Sequence, residues 1–184
     1  MIHYTLGTKS PLNGRIGELF WMLEHVRETT LQELTDLQPE ELDYTIESGG
    51  NSIGALLFHI AAIEKVHQHI SFEGRDMNEG ELKRWRHGLY LSDKTREEVK
   101  NNPLSYYTEL LREVREGTLA GFSMRDDAWL YEEKAWSNGI PYNHYYLWFH
   151  VLEDEISHRG QIRMLIRMLR SNGRSAAVCG IEID

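Results

Sequence analysis

The stretch His150-Val151-Leu152-Glu153-Asp154-Glu155-Ile156-Ser157-His158-Arg159-Gly160-Gln161-Ile162 decides how the chain is read. On a helix each residue advances about 100° around the axis. Leu147, Val151, Ile162, Leu165 and Leu169 then share one narrow arc, the expected core face, while Glu153, Arg159, Arg163, Arg167 and Arg170 take the opposite side. Asp154 and His158 fall inside or beside the apolar arc and His150 at its margin. An aspartate among leucines is the anomaly. An unpaired carboxylate is costly to bury, so a cation or a metal ion should neutralise it. His158 stands one turn later on the same side, and a pair four residues apart can grip one ion. A structural Asp–His hydrogen bond is the competing reading, and a ligand from a neighbouring helix would decide between them.

The same stepping by three and four recurs in three further segments. The first is expected to open at Ser10-Pro11, to carry Ile16, Leu19, Phe20, Leu23, Val26, Leu34 and Leu37, and to stop at Pro39. The second comes after Gly49-Gly50, with Asn51 or Ser52 as cap and Ile53, Leu56, Leu57, Ile60, Ile63, Val66 and Ile70 on its face, and ends at Gly74. Asn102-Pro103 opens the third, with Leu104, Tyr107, Leu111, Val114 and Phe122. The fourth is expected from Asn143 to Arg170, closed by Asn172-Gly173, with a short extended piece after Arg174. Four amphipathic helices of roughly 20 residues each predict an all-α fold, an antiparallel four-helix bundle.

Two connections are long for such a bundle. Residues 75–101 are polar but hold Trp85 and Tyr90, with a short helix expected over Thr95–Lys100; residues 125–142 hold Trp129, Tyr131 and Trp136 before the turn Asn138-Gly139-Ile140-Pro141. These aromatic connections either cap the core or roof a pocket, with Trp85, Trp129, Trp136 and Tyr142 as candidate pocket walls.

The chain has 184 residues and a formal net charge of −9, enough length for one domain, expected over 1–184. The acidic balance argues against a nucleic-acid-binding module, no apolar run reaches a membrane span, and the N-terminus lacks the layout of a signal peptide. The expectation is a cytoplasmic protein. Its single cysteine, Cys179, excludes an internal disulfide and is expected to be an incidental packed thiol.

For a third ligand, the second helix offers His59, His67 and His69. His59 and His67 both lie in its broad apolar sector, and periodicity does not choose between them; His69 is expected to point to solvent. Glu64-Lys65-Val66-His67 and Glu155-Ile156-Ser157-His158 also have the Glu-x-x-His spacing of carboxylate-bridged di-iron bundles. That site needs an inward glutamate from each of the other two helices. Glu109, Glu113 and Glu116 lie opposite the apolar face, and Glu24, Glu28 and Glu33 are off it or marginal, so half the ligands are missing.

With Asn51-Ser52-Ile53-Gly54-Ala55-Leu56-Leu57-Phe58-His59-Ile60 on the second helix and His158-Arg159-Gly160-Gln161-Ile162 on the fourth, the chain resembles the DinB superfamily, which includes the YfiT-like proteins. The likeness runs over nearly the whole length in helix order. It implies a divalent metal, often zinc or nickel, held by three histidines, one from the second helix and two from the fourth; the sequence does not choose between these and iron or manganese. By that resemblance His59 and His158 are ligands, and Asp154 occupies the position where histidine is usual. A carboxylate there gives a two-histidine, one-carboxylate site carrying one unit less positive charge. His150, one turn before Asp154, would then support the ligands from behind or replace one.

Family members act as thiol S-transferases using low-molecular-weight thiols such as bacillithiol or mycothiol, and others are described as metal-dependent hydrolases. The resemblance therefore implies a small thiol and an electrophile, or a hydrolysable molecule, as partners. A catalytically silent, dimeric stress-response bundle is the alternative, with Leu152, Ile156 and Gly160 forming an apolar strip that could pair subunits as a homodimer.

Overall fold

The computed structural model describes residues 5–8, 11–46 and 49–178, with side chains to residue 171. Four long helices make the bundle: α1 (Gly14–Glu33), α3 (Ile53–Gln68), α6 (Leu104–Ser123) and α8 (His144–Val178). Between them lie α2 (Pro39–Leu42), α4 (Glu79–Leu89), α5 (Asp93–Glu98), α7 (Asp127–Leu130) and a hairpin of β1 (Glu133–Ala135) with β2 (Pro141–Asn143).

Two helices run each way, but not every neighbour is antiparallel. Arg159 meets Thr29 and Arg163 meets Glu33, so α1 and α8 are parallel. Gly54 abuts Tyr107 and Glu64 bonds Arg115, so α3 and α6 are parallel as well. His59 faces His158 and His67 faces His150, so α3 and α8 oppose each other. A parallel α3–α6 pair needs a long return connection, which residues 74–103 provide. That connection is more ordered than its polarity suggests. Asn78 and Glu81 form a reciprocal cap on α4, with bonds of 3.0 and 2.8 Å, and buried Trp85 stacks on Phe58 at 5.8 Å. The short helix expected over Thr95–Lys100 sits at Asp93–Glu98.

Local chemistry accounts for the helix ends. Ser52 Oγ accepts from Ala55 N at 3.1 Å and starts α3; Asn143 Oδ1 accepts from Tyr146 N at 2.8 Å and starts α8. The start of α1 is held from a distance: the Asp127 carboxylate of α7 accepts from Arg15 N and Ile16 N, both at 3.0 Å. Pro11 precedes that helix rather than lying in it, and Ser10 is outside the described residues. Pro39 comes after the turn that ends α1 and also begins α2 at its first position, where its missing N–H costs nothing. At the other end of the chain the expected stop at Asn172-Gly173 does not hold: α8 runs on to Val178, so residues 174–178 are helical, not extended. One glycine costs about 1 kcal/mol in a helix, which the helix-favouring Ala176-Ala177 can offset. Cys179 lies outside the described residues.

α3 ends in a wide π turn, His69–Glu73, closed by Gly74 in the left-handed conformation at φ 66°. At the head of that turn His69 keeps ordinary helical dihedrals, φ −63° and ψ −47°, and is buried rather than solvated because the connection covers it: its Nδ1 lies 3.0 Å from Glu73 and 3.1 Å from Arg75, and its Nε2 3.8 Å from Glu81.

The core divides in two. One apolar cluster gathers Leu34, Leu42 and the inward faces of α3, α6 and the later part of α8; the other gathers α1, Phe122, Leu130, Trp148, Val151 and Leu152. Leu152 is thus covered within its own chain and drops out of the outer strip, leaving exposed Ile156 and Gly160. Between the two clusters lies a layer of charge. Arg27 of α1, Glu64 of α3, Arg115 of α6 and Glu155 of α8 form a closed ring with one member per helix. Arg27 bonds Glu64 at 2.8 Å and Glu155 at 2.9 Å; Arg115 bonds Glu64 at 2.7 Å and reaches Glu155 at 3.5 Å. All four are buried.

Candidate metal centre

His59 is buried one turn beyond the glycine-containing start of α3. Its Nδ1 lies 2.6 Å from the carbonyl of Gly88 on α4. A carbonyl only accepts, so Nδ1 carries the proton and Nε2 is left to face the α3–α8 seam. The approach requires glycine at 88. A Cβ there would stand 2.6 Å from Ala62 Cβ and 2.8 Å from Phe58 Cδ1.

From α8, Asp154 and His158 meet this imidazole. Oδ1 of Asp154 is 3.5 Å from His59 Nε2 and 3.4 Å from His158 Nε2. One donor atom from each of the three residues lies within 4.8 Å of the others. These spans are long for N–H···O hydrogen bonds, which centre near about 2.9–3.0 Å. They match the separation of about 3.3 Å between two ligand atoms bound tetrahedrally at about 2.0–2.1 Å. With His59 Nδ1 protonated, its Nε2 lone pair and the Asp154 oxygen are two acceptors face to face, and a positive charge must stand between them, either a proton or a metal ion. The donor set, two imidazoles and one carboxylate, fits a divalent transition metal.

Asp154 is 14% exposed at its side chain, and no arginine pairs with it among the described residues. Burial alone would raise its pKa; the imidazoles of His158 and His59 outweigh that and hold the carboxyl well below the usual range. His158 Nδ1 is buried and makes no hydrogen bond among the described residues.

His150 and His67 sit beside the triad. Their ring centroids are 5.5 Å apart, in the same antiparallel register that pairs His59 with His158 at 4.7 Å. His67 is buried with Nδ1 2.7 Å from the Ile63 carbonyl, and His150 Nδ1 lies 3.0 Å from Glu153. Neither belongs to the converging triad.

The aromatic residues read as pocket walls are dispersed. Trp85 is packed in the core beside Phe58, one turn from Gly88. Trp129 stacks on His144 at 4.1 Å, and Trp136 on Tyr142 at 4.0 Å, at the hairpin and the start of α8. Asp154 is ten residues further on, about 15 Å along the helix, and no described contact joins Trp129, Trp136 or Tyr142 to the triad. A groove of about 580 Å³ between α1 and α6, lined by Phe20, Arg27, Leu31, Leu111, Arg115 and Leu119 among others, contains none of the three residues.

The sequence reading missed the charge ring. Glu64 and Glu155, the acids of the two Glu-x-x-His pairs, do face inward, but α1 and α6 present Arg27 and Arg115 where a di-iron site would have glutamates. The signal was there: Arg27 stands four residues after Leu23 and Arg115 four after Leu111, each on its apolar stripe.

A model of the mycothiol-S-transferase family matches residues 18–170. Among solved structures, a DinB-like protein from Bacillus cereus ATCC 10987 is 18% identical, with a TM-score of 0.59 over 83% of this chain and 91% of that one. A protein from Streptococcus pneumoniae is 15% identical, with a TM-score of 0.62 over 87% and 92%. Both likenesses concern the fold. Comparison with curated proteins finds no match.

Proposed function

The chain belongs to the mycothiol-S-transferase family of DinB-like proteins, and on that premise we propose that it is a metal-dependent transferase conjugating a low-molecular-weight, cysteine-derived thiol to an electrophilic small molecule. The observation that carries the metal assignment is the shared oxygen: Oδ1 of Asp154 stands at ligand–ligand distance from the imidazoles of two different helices. His59, Asp154 and His158 would hold the ion. A divalent ion held by these three residues would supply Lewis acidity that favours the thiolate form of an incoming thiol at its position.

The chain's own residues prepare that position. The Gly88 carbonyl fixes the tautomer and tilt of His59. Asp154 lends the site a negative charge that a three-histidine site lacks, which favours a harder ion and weakens its Lewis acidity. The buried seam around His59 and His158 limits water near the reacting sulfur. Thiol and electrophile approach from the side of His150, whose side chain is 41% exposed.

The test is elemental analysis of protein purified without a histidine tag, beside His158→Ala, and then a thiol-conjugation assay. About one ion per chain in the parent and loss in the variant is expected. Equal metal content in both would overturn the ligand assignment, and turnover without thiol would replace transfer by hydrolysis at the same residues.

A further inference from the structure

Resting on the reading above, we propose that His67 and His150 form the proton exit of the site: His67 Nε2 accepts the proton of the incoming thiol through one water, and His150 passes it to solvent. The ligand imidazoles cannot serve, because their Nε2 atoms face the ion. Another base must lie near, unprotonated and with a free nitrogen.

His67 meets each requirement. Its residue is 7% exposed, and Nδ1 is committed to the Ile63 carbonyl at 2.7 Å, so the lone pair sits on Nε2. Nε2 makes no hydrogen bond among the described residues, nor is it sealed from solvent. Burial lowers the His67 pKa, and the Ile63 bond opposes this; of the charges that face it, His150 lowers it further while Asp154 and Glu64 raise it. The ring is thereby neutral at pH 7 and able to accept a proton. Position agrees. In the α3–α8 register Asp154 lies midway between the two histidine pairs, about 6 Å along the axis from each, so His67 flanks the triad on its His150 side. His150 completes the route: its centroid is 5.5 Å from that of His67, its side chain is 41% exposed, and its Nδ1 is held by Glu153 at 3.0 Å.

The step balances simply. The S–H bond breaks and its electron pair stays on sulfur. The proton moves through the water to His67 Nε2, then by way of His150 to bulk solvent, and His67 returns to its neutral form.

The test monitors thiol binding rather than turnover. Metal-loaded protein is mixed with N-acetylcysteine, and the rate at which the thiolate-to-metal absorption band rises is recorded from pH 6 to 10, with metal content measured in parallel. His67→Asn is expected to keep its metal and to slow the band about 10²-fold at pH 7. The deficit should shrink as pH rises toward the thiol's own pKa, where thiolate is already present. An equal rate at pH 7, or loss of metal from the variant, overturns the proposal. Should His67→Asn fail to fold, His150→Ala on the half-exposed side carries the test: about 10-fold slowing at pH 7 is expected, and no slowing overturns it. A parent protein that binds no metal defeats the transferase reading and this inference together; a loaded parent indifferent to His67 and His150 defeats this inference alone.

Discussion

The carbonyl of Gly88 lies 2.6 Å from Nδ1 of His59 and so joins α4, part of a connection, to the imidazole at the centre of the candidate site. Gly88→Ala would drive a methyl to 2.6 Å from Ala62 Cβ and push α4 away from α3. The expected cost is about 1–3 kcal/mol of stability, read by urea denaturation. Metal affinity should fall about 10–100-fold as His59 loses its orienting bond, read by competition with a chelator. Unchanged affinity in a folded variant would show that the carbonyl does not set the imidazole.

Asp154→Asn keeps the shape and removes the charge. Metal affinity is expected to fall at least about 10-fold, because an amide oxygen is a poor substitute for a carboxylate on a divalent transition metal. Asp154→His should retain stoichiometric metal and shift preference toward softer ions, measured by competition between nickel and manganese. Full affinity in the asparagine variant would remove Asp154 from the ligand set.

The charge ring predicts non-additive mutations. Glu64→Gln removes the carboxylate that buried Arg27 and Arg115 share, leaving Arg27 to Glu155 and Arg115 to Glu155 and Glu24, and should cost about 3–5 kcal/mol. Replacing the pair together, Glu64→Leu with Arg115→Met, should cost less than the two single changes summed, since no partner is left uncompensated in that arm. Thermal unfolding of the four proteins closes the cycle, and additive losses would show that the two side chains do not interact.

Acid should attack the same ring. Burial would raise the Glu64 pKa, but Arg115 and Arg27, with Thr118, bring it from 4.5 down to about 2. A carboxyl depressed in the folded state contributes stability that is complete above the unfolded value and is lost as pH falls through the folded one. Urea midpoints should therefore be flat from pH 7 to about 5 as far as Glu64 is concerned, then drop from 4.5 toward 2. Glu64→Gln should flatten that drop. An identical acid slope in the variant would assign the loss to other groups.

Much of the fold and part of the site were legible in residue order, because helix periodicity is local. Ser52 as cap, the apolar faces of four helices and the placing of Asp154 and His158 on one arc all rest on spacing along a single segment. His69 is buried against the expectation because the connection after α3 lays Arg75 and Glu81 over it, a tertiary cover that one helix read alone does not show. The return segment was undervalued because α4 is held by tertiary contact, Trp85 on Phe58, rather than by a strong apolar stripe of its own. Leu152 was assigned outward because one helix read alone does not show that α1 lies on its far side.

Sequence alone determined that the chain makes amphipathic helices, that an acid and an imidazole four residues apart share the inward face of the last one, and that motif likeness points to His59. Periodicity leaves His59 and His67 both open, and it is the register between two helices far apart in the chain that brings His59, rather than His67, together with that pair. The same holds for the parallel α1–α8 and α3–α6 neighbours and for the ring that neutralises Glu64 and Glu155. Local spacing fixes direction around one axis; the partner that meets a side chain across a bundle depends on how whole helices slide and turn against each other to bury their faces.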